Sequence, residues 1–247
     1  MEKEKSRRAG SSFFDHLEAL RWTLLWGIGV YAVLFFPAWF AAPYLRDRLL
    51  DFAAPPGFKL HYFTLLEPFF VQLKVALALD LLVSLPVWLK LLWDFVTPAL
   101  RERERRIGRI PVIAGTFLAA AGAAVGIFFI VPAVVRFSLS FVSDALDPVI
   151  GIGSFIDFAL LAALGGALLF QFPLVLLAMV AAGAVRIETL RRRRGEVLIA
   201  LLIAGALLTP PDVVSQILLT VPSYLLFEAT LLVARLLPKR EEKGDAE

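Results

Sequence analysis

Six apolar segments constrain this chain more than any other feature of its sequence. They lie at about residues 22–41, 68–92, 110–135, 155–183, 197–209 and 213–234. A membrane-spanning α-helix needs about 20 predominantly apolar residues, and most of these segments reach that length. A hydrophobic content of 59% and a mean hydropathy of +0.78 are not typical of a water-soluble domain. We therefore predict an all-α membrane protein with six transmembrane helices.

The distribution of lysine and arginine predicts the orientation of these helices. Nineteen of these residues lie in segments 1–21, 94–109, 184–196 and 235–247, and only four lie in the alternate loops 42–67, 136–154 and 210–212. Cytosolic loops carry the excess of positive charge. The sequence thus predicts a cytosolic N-terminal segment 1–21, a six-span membrane domain 22–234 and a cytosolic charged tail 235–247.

The fifth segment is too short for an ordinary span. Residues 197–209 would form a helix of about 20 Å, against a hydrocarbon core of about 30 Å. The next residues, Pro210 and Pro211, end one helix, and Asp212 has the side chain of an N-cap for the following one. We predict a tight hairpin between spans five and six.

Proline and glycine predict bent, closely packed helices. Gly122 and Gly126 form a G-x-x-x-G pattern, which indicates close approach of another helix. Each proline inside a span removes a backbone hydrogen bond and favours a kink. These prolines are Pro37, Pro86, Pro132, Pro173 and Pro222.

Five motifs in this order resemble the TatC family, the receptor subunits of the twin-arginine protein translocase. They are HLEALR at 16–21, EPF at 67–69, FVTPALRERERR at 95–106, FQFP at 170–173 and LTPPDVVSQ at 208–216. The resemblance runs from about residue 13 to residue 235. It implies a glove-shaped, six-helix protein of the bacterial inner membrane.

The same resemblance implies the partners of the chain. These are the twin-arginine signal peptides of folded cargo and single-span subunits of the TatA and TatB type, together in a homo- or hetero-oligomeric complex within membrane lipid. The proton-motive force would supply the energy. The resemblance implies no enzymatic activity, no cofactor and no metal ion.

Loop 95–106 is the first candidate site, because it places two glutamates among four arginines. The resemblance assigns Glu104 to the paired arginines of the signal peptide, with an apolar wall formed by Phe95, Pro98 and Leu100. A sheltered carboxylate gains about 1.5–3 kcal/mol per charge-assisted hydrogen bond, and arginine can be held by two such bonds at once. The alternative is an exposed ion pair with a neighbouring arginine, worth about 0–1 kcal/mol.

Glu18 is the second candidate for signal-peptide binding. The family pattern reads H-L-x-E-L-R, whereas here Ala19 occupies the fourth position and Glu18 precedes it. One residue corresponds to about 100° of rotation around a helix. The alternative is an intrahelical pair between Glu18 and Arg21.

Gln171 lies near the middle of the fourth segment, where other family members often have glutamate. An amide in place of the acid argues against an obligatory proton-carrying role. A polar side chain at this depth usually faces protein or a cavity, so we predict contact with the transmembrane helix of a partner subunit. The alternative is a bond to the backbone carbonyl that Pro173 leaves without a donor.

Other polar residues are predicted to be structural. Ser154 and Asp157 have the spacing of a capping box at the start of span four. Glu67 fits the start of span two and could pair with Lys74, seven residues later. The arginine run 191–194 is predicted to anchor the topology and contact anionic lipid, and no nucleic acid is expected. No role is assigned to Asp80, Lys90 and Glu228.

Two other classes of function fit this sequence less well. A proton- or ion-coupled transporter could use Asp80, Asp157, Gln171 and Glu228, but no inverted repeat is detectable. A hydrolase is disfavoured because no H-E-x-x-H or G-x-S-x-G motif is present, and because both histidines lie outside the spans. The absence of cysteine excludes disulfides and thiolate ligands.

Overall fold

The computed structural model of this chain describes residues 2–53, 60–96, 109–143, 149–181, 183–209 and 212–234. Five stretches within these ranges are long and apolar enough to cross a membrane. They are Arg21–Ala53, Glu67–Asp94, Ile110–Leu139, Ile152–Val180 and Val213–Ala234. The helices in chain order are α1 Glu2–Ala53, α2 Glu67–Val96, α3 Arg109–Val125, a π-helical turn Gly126–Ile130, α4 Val131–Leu139, α5 Ile152–Leu169, α6 Phe172–Ala181, α7 Ile187–Arg192, α8 Arg194–Leu208 and α9 Val213–Ala234.

Helix α8 corresponds to the predicted fifth span. Its 15 residues are about 22 Å long, so it is shorter than the roughly 30 Å hydrocarbon core. The predicted boundaries 197–209 are shifted by a few residues toward the C-terminus. A helix of this length crosses only where the bilayer is thin or where its ends are covered.

Helix α1 is longer than predicted. The end at residue 41 is wrong, because the helix continues through Pro43 to Ala53. Ala42, Leu49 and Ala53 are buried in the main core. The contacts of this buried face hold the segment helical although Pro43 removes one backbone bond.

The third and fourth spans are each interrupted near a proline that was predicted to cause a kink. Before Pro132, the amide of Val131 donates to the carbonyl of Gly126, which gives one π-helical turn between α3 and α4. Before Pro173, α5 ends at Leu169 and α6 starts at Phe172. The other three prolines lie inside continuous helices.

Helices α3 and α5 pack backbone to backbone through the predicted G-x-x-x-G pattern. A Cβ atom added at Gly122 would lie 2.1 Å from the carbonyl oxygen of Gly166, and one at Gly126 would lie 2.3 Å from that of Ala162. These distances leave no room for a side chain. The predicted close approach is confirmed.

Helices α1 and α2 form an antiparallel pair. The Trp88 ring lies against Gly27, where an added Cβ would come within 2.5 Å of it. The Tyr31 hydroxyl donates to the Leu77 carbonyl at 3.2 Å. Gln72 Nε2 donates to the carbonyl of Trp39 at 2.8 Å. These contacts fix which residues of the two helices lie at the same level.

Two short strands, absent from the predicted all-α fold, join loops at the end where α2 and α5 begin. Strand β1, Leu60–His61, pairs in parallel with β2, Ile150–Gly151. Glu67 stabilises this junction: its Oε2 accepts from the amides of Phe63 and Thr64, and its Oε1 accepts from the amide of Gly153 at 2.9 Å. The predicted position of Glu67 at a helix start is confirmed.

The capping box predicted from Ser154 and Asp157 is wrong. The N-cap of α5 is Gly151, and it makes no side-chain bond. Asp157 lies further along the helix, where its carboxylate binds Lys74 Nζ at 2.6 and 2.8 Å. Lys74 therefore pairs with Asp157 and not with Glu67. An ion pair between spans two and four satisfies both charges near the membrane better than a local cap would.

Asp80 is the most unusual residue of the core. Its side chain is fully buried in α2, and neither carboxylate oxygen has a hydrogen-bond partner in the part of the chain that the structure describes. A buried polar group without a partner costs about 1–3 kcal/mol. Asp80 therefore destabilises the fold.

We expect Asp80→Ala to raise the free energy of unfolding by about 1–2 kcal/mol, since the lost desolvation cost exceeds the cost of a small cavity. Asp94→Ala is the matched control, because Asp94 is exposed and its one partner among the described residues is Lys90. Thermal unfolding of both variants in detergent measures the effect. A less stable Asp80→Ala protein would show that the carboxyl has a stabilising partner.

Candidate functional site

The candidate site lies at the rim formed by the end of α2, the start of α3 and Glu18 of α1. Glu104, Pro98 and Leu100 lie in segment 97–108, outside the described residues. The backbone of Phe95 belongs to the last turn of α2, and its side chain is not among those described. The structure thus fixes the two ends of the loop, at Val96 and Arg109.

Glu18 lies at the same level as the start of this loop. From the contact between Gly27 and Trp88, nine residues of α1 lead back to Glu18, about 14 Å along the helix. Eight residues of α2 lead from Trp88 to Val96, about 12 Å in the same direction because the helices are antiparallel. The carboxylate of Glu18 and the first residues of the loop therefore share one rim.

The side chain of Glu18 is exposed in the structure. The alternative ion pair with Arg21 does not form: both side chains are described and exposed, and no salt bridge joins them. Helix α1 continues without interruption past Trp22, so no distorted first turn shifts the register of Glu18. No described side chain pairs with the Glu18 carboxylate, which leaves it available to a ligand at the rim among the residues that the structure describes.

Gln171 lies beneath this rim at the break between α5 and α6. Its Nε2 donates to the carbonyl of Gly115 in α3 at 2.9 Å and approaches the carbonyl of Ala167 at 3.5 Å. The carbonyl that Pro173 leaves without a donor is that of Leu169, four residues earlier, so the proposed capping of that group is wrong. Gln171 instead ties span four to span three.

The other amide atom of Gln171 is available for a further bond. Its Oε1 is buried and has no hydrogen-bond partner among the described residues. Gly115 lies six residues after Arg109, so Gln171 is about 9 Å below the rim along α3. Only about two turns of α3 therefore separate the end of the loop from this amide.

Glu228, which had no predicted role, joins α8 to α9. Its Oε2 accepts from Arg194 at 2.9 Å, and its Oε1 accepts from the Tyr224 hydroxyl at 3.2 Å. Arg194 belongs to the arginine run that was predicted to be a topology anchor. Lys90, also without a role, pairs with Asp94 within α2.

The hairpin between α8 and α9 is fixed at both ends by side chains. Asp212 Oδ1 accepts from the amide of Ser215 at 2.6 Å, and its Oδ2 bonds to the Ser215 hydroxyl. Thr209 Oγ1 donates to the carbonyl of Gly205 at 2.9 Å. Asp212 thus caps α9. Pro210 and Pro211 lie outside the described residues.

The four residues that a transporter would need are not brought together. Asp157 pairs with Lys74, Glu228 pairs with Arg194, and Gln171 binds Gly115. Asp80 is enclosed in the core. The described contacts of these residues give no continuous polar path across the membrane.

Similarity to known proteins covers most of this chain. Residues 15–222 match the family model described as Sec-independent protein translocase protein (TatC). The chain is 31% identical over 237 residues to the TatC protein of Carboxydothermus hydrogenoformans, which covers 95% of this chain and 97% of that protein. It is also 31% identical over 169 residues to TatC of Escherichia coli (strain K12), covering 68% and 66% of the two chains.

Two solved structures have the same fold. A crystal structure of the twin-arginine translocase receptor TatC in DDM superposes with a TM-score of 0.80 at 26% identity, covering 89% of this chain and 99% of that one. A second crystal structure of the receptor gives a TM-score of 0.78 at 27% identity. The predicted all-α membrane fold is confirmed by this similarity.

Proposed function

Because this chain belongs to the TatC family and is the receptor component of a twin-arginine translocase, we propose that its rim binds the twin-arginine signal peptides of folded cargo. Glu104 binds the paired arginines, and Glu18 adds a second carboxylate. Phe95, Pro98 and Leu100 form the apolar wall. The chain is a multi-pass membrane protein of a protein-translocation complex, and its role is transport rather than catalysis.

The observation that supports this site is the pairing of α1 with α2. The contact between Gly27 and Trp88 brings exposed Glu18 to the level at which loop 97–108 begins. Two arginine side chains need two acceptors within a few ångströms of each other. Carboxylates from two separate segments of one rim can supply two such acceptors, and arginine gains more from them than lysine because its planar fork forms bidentate hydrogen bonds.

A crosslinking scan tests the proposed site directly. A photoreactive side chain is placed in turn at positions 95–106 and a twin-arginine peptide is added. We expect crosslinks that cluster around position 104 and disappear when both signal arginines are replaced by lysine. Position 62 is the control, because Tyr62 is exposed in the loop before α2, at the opposite end of that helix. Equal capture at positions 62 and 104 would contradict the proposal.

We further propose that both termini and the loops 94–109 and 184–196 face the cytosol of a bacterium, with the chain in its inner membrane. The asymmetry of lysine and arginine supports this orientation. Because the chain has no cysteine, Glu104→Cys and Tyr62→Cys can each be labelled without background. We expect an impermeant thiol reagent added from the periplasmic side to label only Tyr62→Cys. The reverse pattern would invert the proposed topology.

Gln171 is proposed to contact the transmembrane helix of a single-span subunit of the TatA or TatB type. Its Oε1 is buried and has no hydrogen-bond partner in the described part of the chain, which supports this role, because a small shift at the α5–α6 break would expose an acceptor to a neighbouring helix. We expect a photo-crosslinker at position 171 to capture such a subunit, and capture to change when a signal peptide binds. The same crosslinker at Leu168, which is exposed toward the membrane, is the control. Capture of lipid alone at both positions would leave Gln171 with only its bond to Gly115.

A further inference from the structure

An apolar pocket lies on the side of the molecule formed by the second half of α1. Segment 45–52 of α1 covers one side, and α2, the π-helical turn and α5 form the others. The pocket has about 720 Å³ of empty space, its open mouth included. Thirteen of the fifteen lining side chains are apolar, and the remaining two are Arg46 and Arg48.

Two aromatic rings stand at this pocket. Phe52 and Phe128 make an edge-to-face contact with ring centroids 5.1 Å apart, and both side chains are about half exposed. A half-exposed pair of phenylalanines in a membrane-spanning region faces acyl chains. The pocket is therefore open to lipid rather than sealed inside the protein.

The two arginines lie near the end of the apolar stretch Arg21–Ala53, the part of a membrane-spanning helix that approaches the polar headgroup layer. Arginine side chains at this level place their methylenes against apolar surface and their guanidinium groups in the polar layer. The pocket thus has an apolar body and a positively charged edge.

Only one of these arginines is available to an anion. Arg46 already binds the carboxylate of Asp47 at 2.8 Å. Arg48 has no ion pair with Asp47, Asp51 or any other described carboxylate. It donates from Nε to the Tyr44 hydroxyl at 3.2 Å, with its guanidinium carbon 5.2 Å from the centroid of that ring. The tyrosine holds the guanidinium in place, and the two terminal nitrogens are left for a ligand.

We propose that this pocket binds one acyl chain of an anionic phospholipid, whose phosphate is held by Arg48. The chain fills the space between α1, α2 and α5, and the headgroup rests beside Tyr44. A phosphate oxygen suits the planar fork of arginine. A partner helix would be too wide for a pocket enclosed on several sides, whereas a single hydrocarbon chain is narrow and flexible enough to enter.

Native mass spectrometry of the purified full-length protein tests this assignment. The protein is incubated in mild detergent with equal amounts of phosphatidylglycerol and phosphatidylcholine that carry the same acyl chains. We expect wild type to retain phosphatidylglycerol about tenfold better, the factor that one charge-assisted hydrogen bond supplies. Excess inorganic phosphate should not displace the lipid, because the pocket also holds the acyl chain.

Arg48→Gln should remove this preference. Arg136→Gln is the matched control, since Arg136 is an exposed arginine near the end of α4 that does not line the pocket. Equal retention of the two lipids by wild type would overturn the proposal. So would an equal loss of preference in the two arginine variants, which would indicate general attraction to positive charge.

A second pair of variants tests the apolar part of the pocket. Leu79→Trp should fill the pocket and lower retention of both lipids. Leu168→Trp, on an exposed position of α5 outside the pocket, should not change it. Unchanged retention in a folded Leu79→Trp protein would place the lipid elsewhere. If Leu79→Trp does not fold, the comparison of Arg48→Gln with Arg136→Gln still decides the proposal, because both arginines are exposed.

Discussion

Glu104→Ala is expected to abolish measurable binding of a twin-arginine peptide while the folded protein remains in the membrane. The substitution removes the proposed acceptor of the paired arginines and no core volume. Two lost charge-assisted hydrogen bonds of about 1.5–3 kcal/mol each correspond to a loss of affinity of at least about two orders of magnitude. Binding of a labelled peptide to the purified protein measures this loss.

The matched control for this prediction is Glu102→Ala. It removes the same charge from the same loop, two residues away, and should lower affinity much less if the position of the carboxylate matters. Replacing both signal arginines by lysine should weaken binding to wild type strongly although the charge is unchanged. Wild-type affinity in Glu104→Ala, or equal losses in the two glutamate variants, would remove Glu104 from the site.

Gly122→Ala is expected to cause the largest loss of stability among glycine-to-alanine changes at the glycines whose surroundings the structure describes. The new Cβ would lie 2.1 Å from the carbonyl oxygen of Gly166, and both contacting groups belong to helix backbones that cannot rotate away. Separating α3 from α5 would also disturb the ion pair and hydrogen bonds of α5. We expect a cost of at least about 3 kcal/mol, the upper part of the range for overpacking.

Gly29→Ala provides the comparison. Nothing lies within 4 Å of a Cβ at that position, and alanine is favoured over glycine within a helix by about 0.5–1 kcal/mol. Thermal unfolding in detergent should therefore show a large decrease for Gly122→Ala and no decrease for Gly29→Ala. If both variants unfold like wild type, the two helices are further apart than the structure places them.

Several features of the fold could be predicted from local sequence. The long apolar segments determine where spanning helices form, and the spacing of Gly122 and Gly126 determines where a neighbouring helix can approach closely. Neither effect depends on the rest of the chain. The same is true of Asp212, whose capping bond is made to Ser215, three residues away. The end of α1 could not be predicted, because the packing of Leu49 and Ala53 against other spans outweighs the local effect of Pro43.

The partners of the polar residues inside the spans could not be predicted from local sequence patterns. Asp157 had the spacing of a cap, but its partner is Lys74, 83 positions away in sequence. Glu228 had no sequence partner, and the structure pairs it with Arg194, 34 positions away. Near the membrane a charge is stabilised by whichever opposite charge the fold brings to the same depth, and that depth depends on the packing of several helices.

The sequence by itself determined the class of the protein, the approximate position of its spans and the residues proposed to contact a signal peptide, because hydropathy, charge asymmetry and short motifs are properties of contiguous segments. Only the tertiary structure decided that Glu18 lies level with the start of loop 97–108, that Gln171 binds Gly115, and that Arg48 stands at the edge of an apolar pocket. Each of these depends on contacts between helices far apart in the chain. The geometry of such contacts follows from close packing in three dimensions, which no single segment encodes.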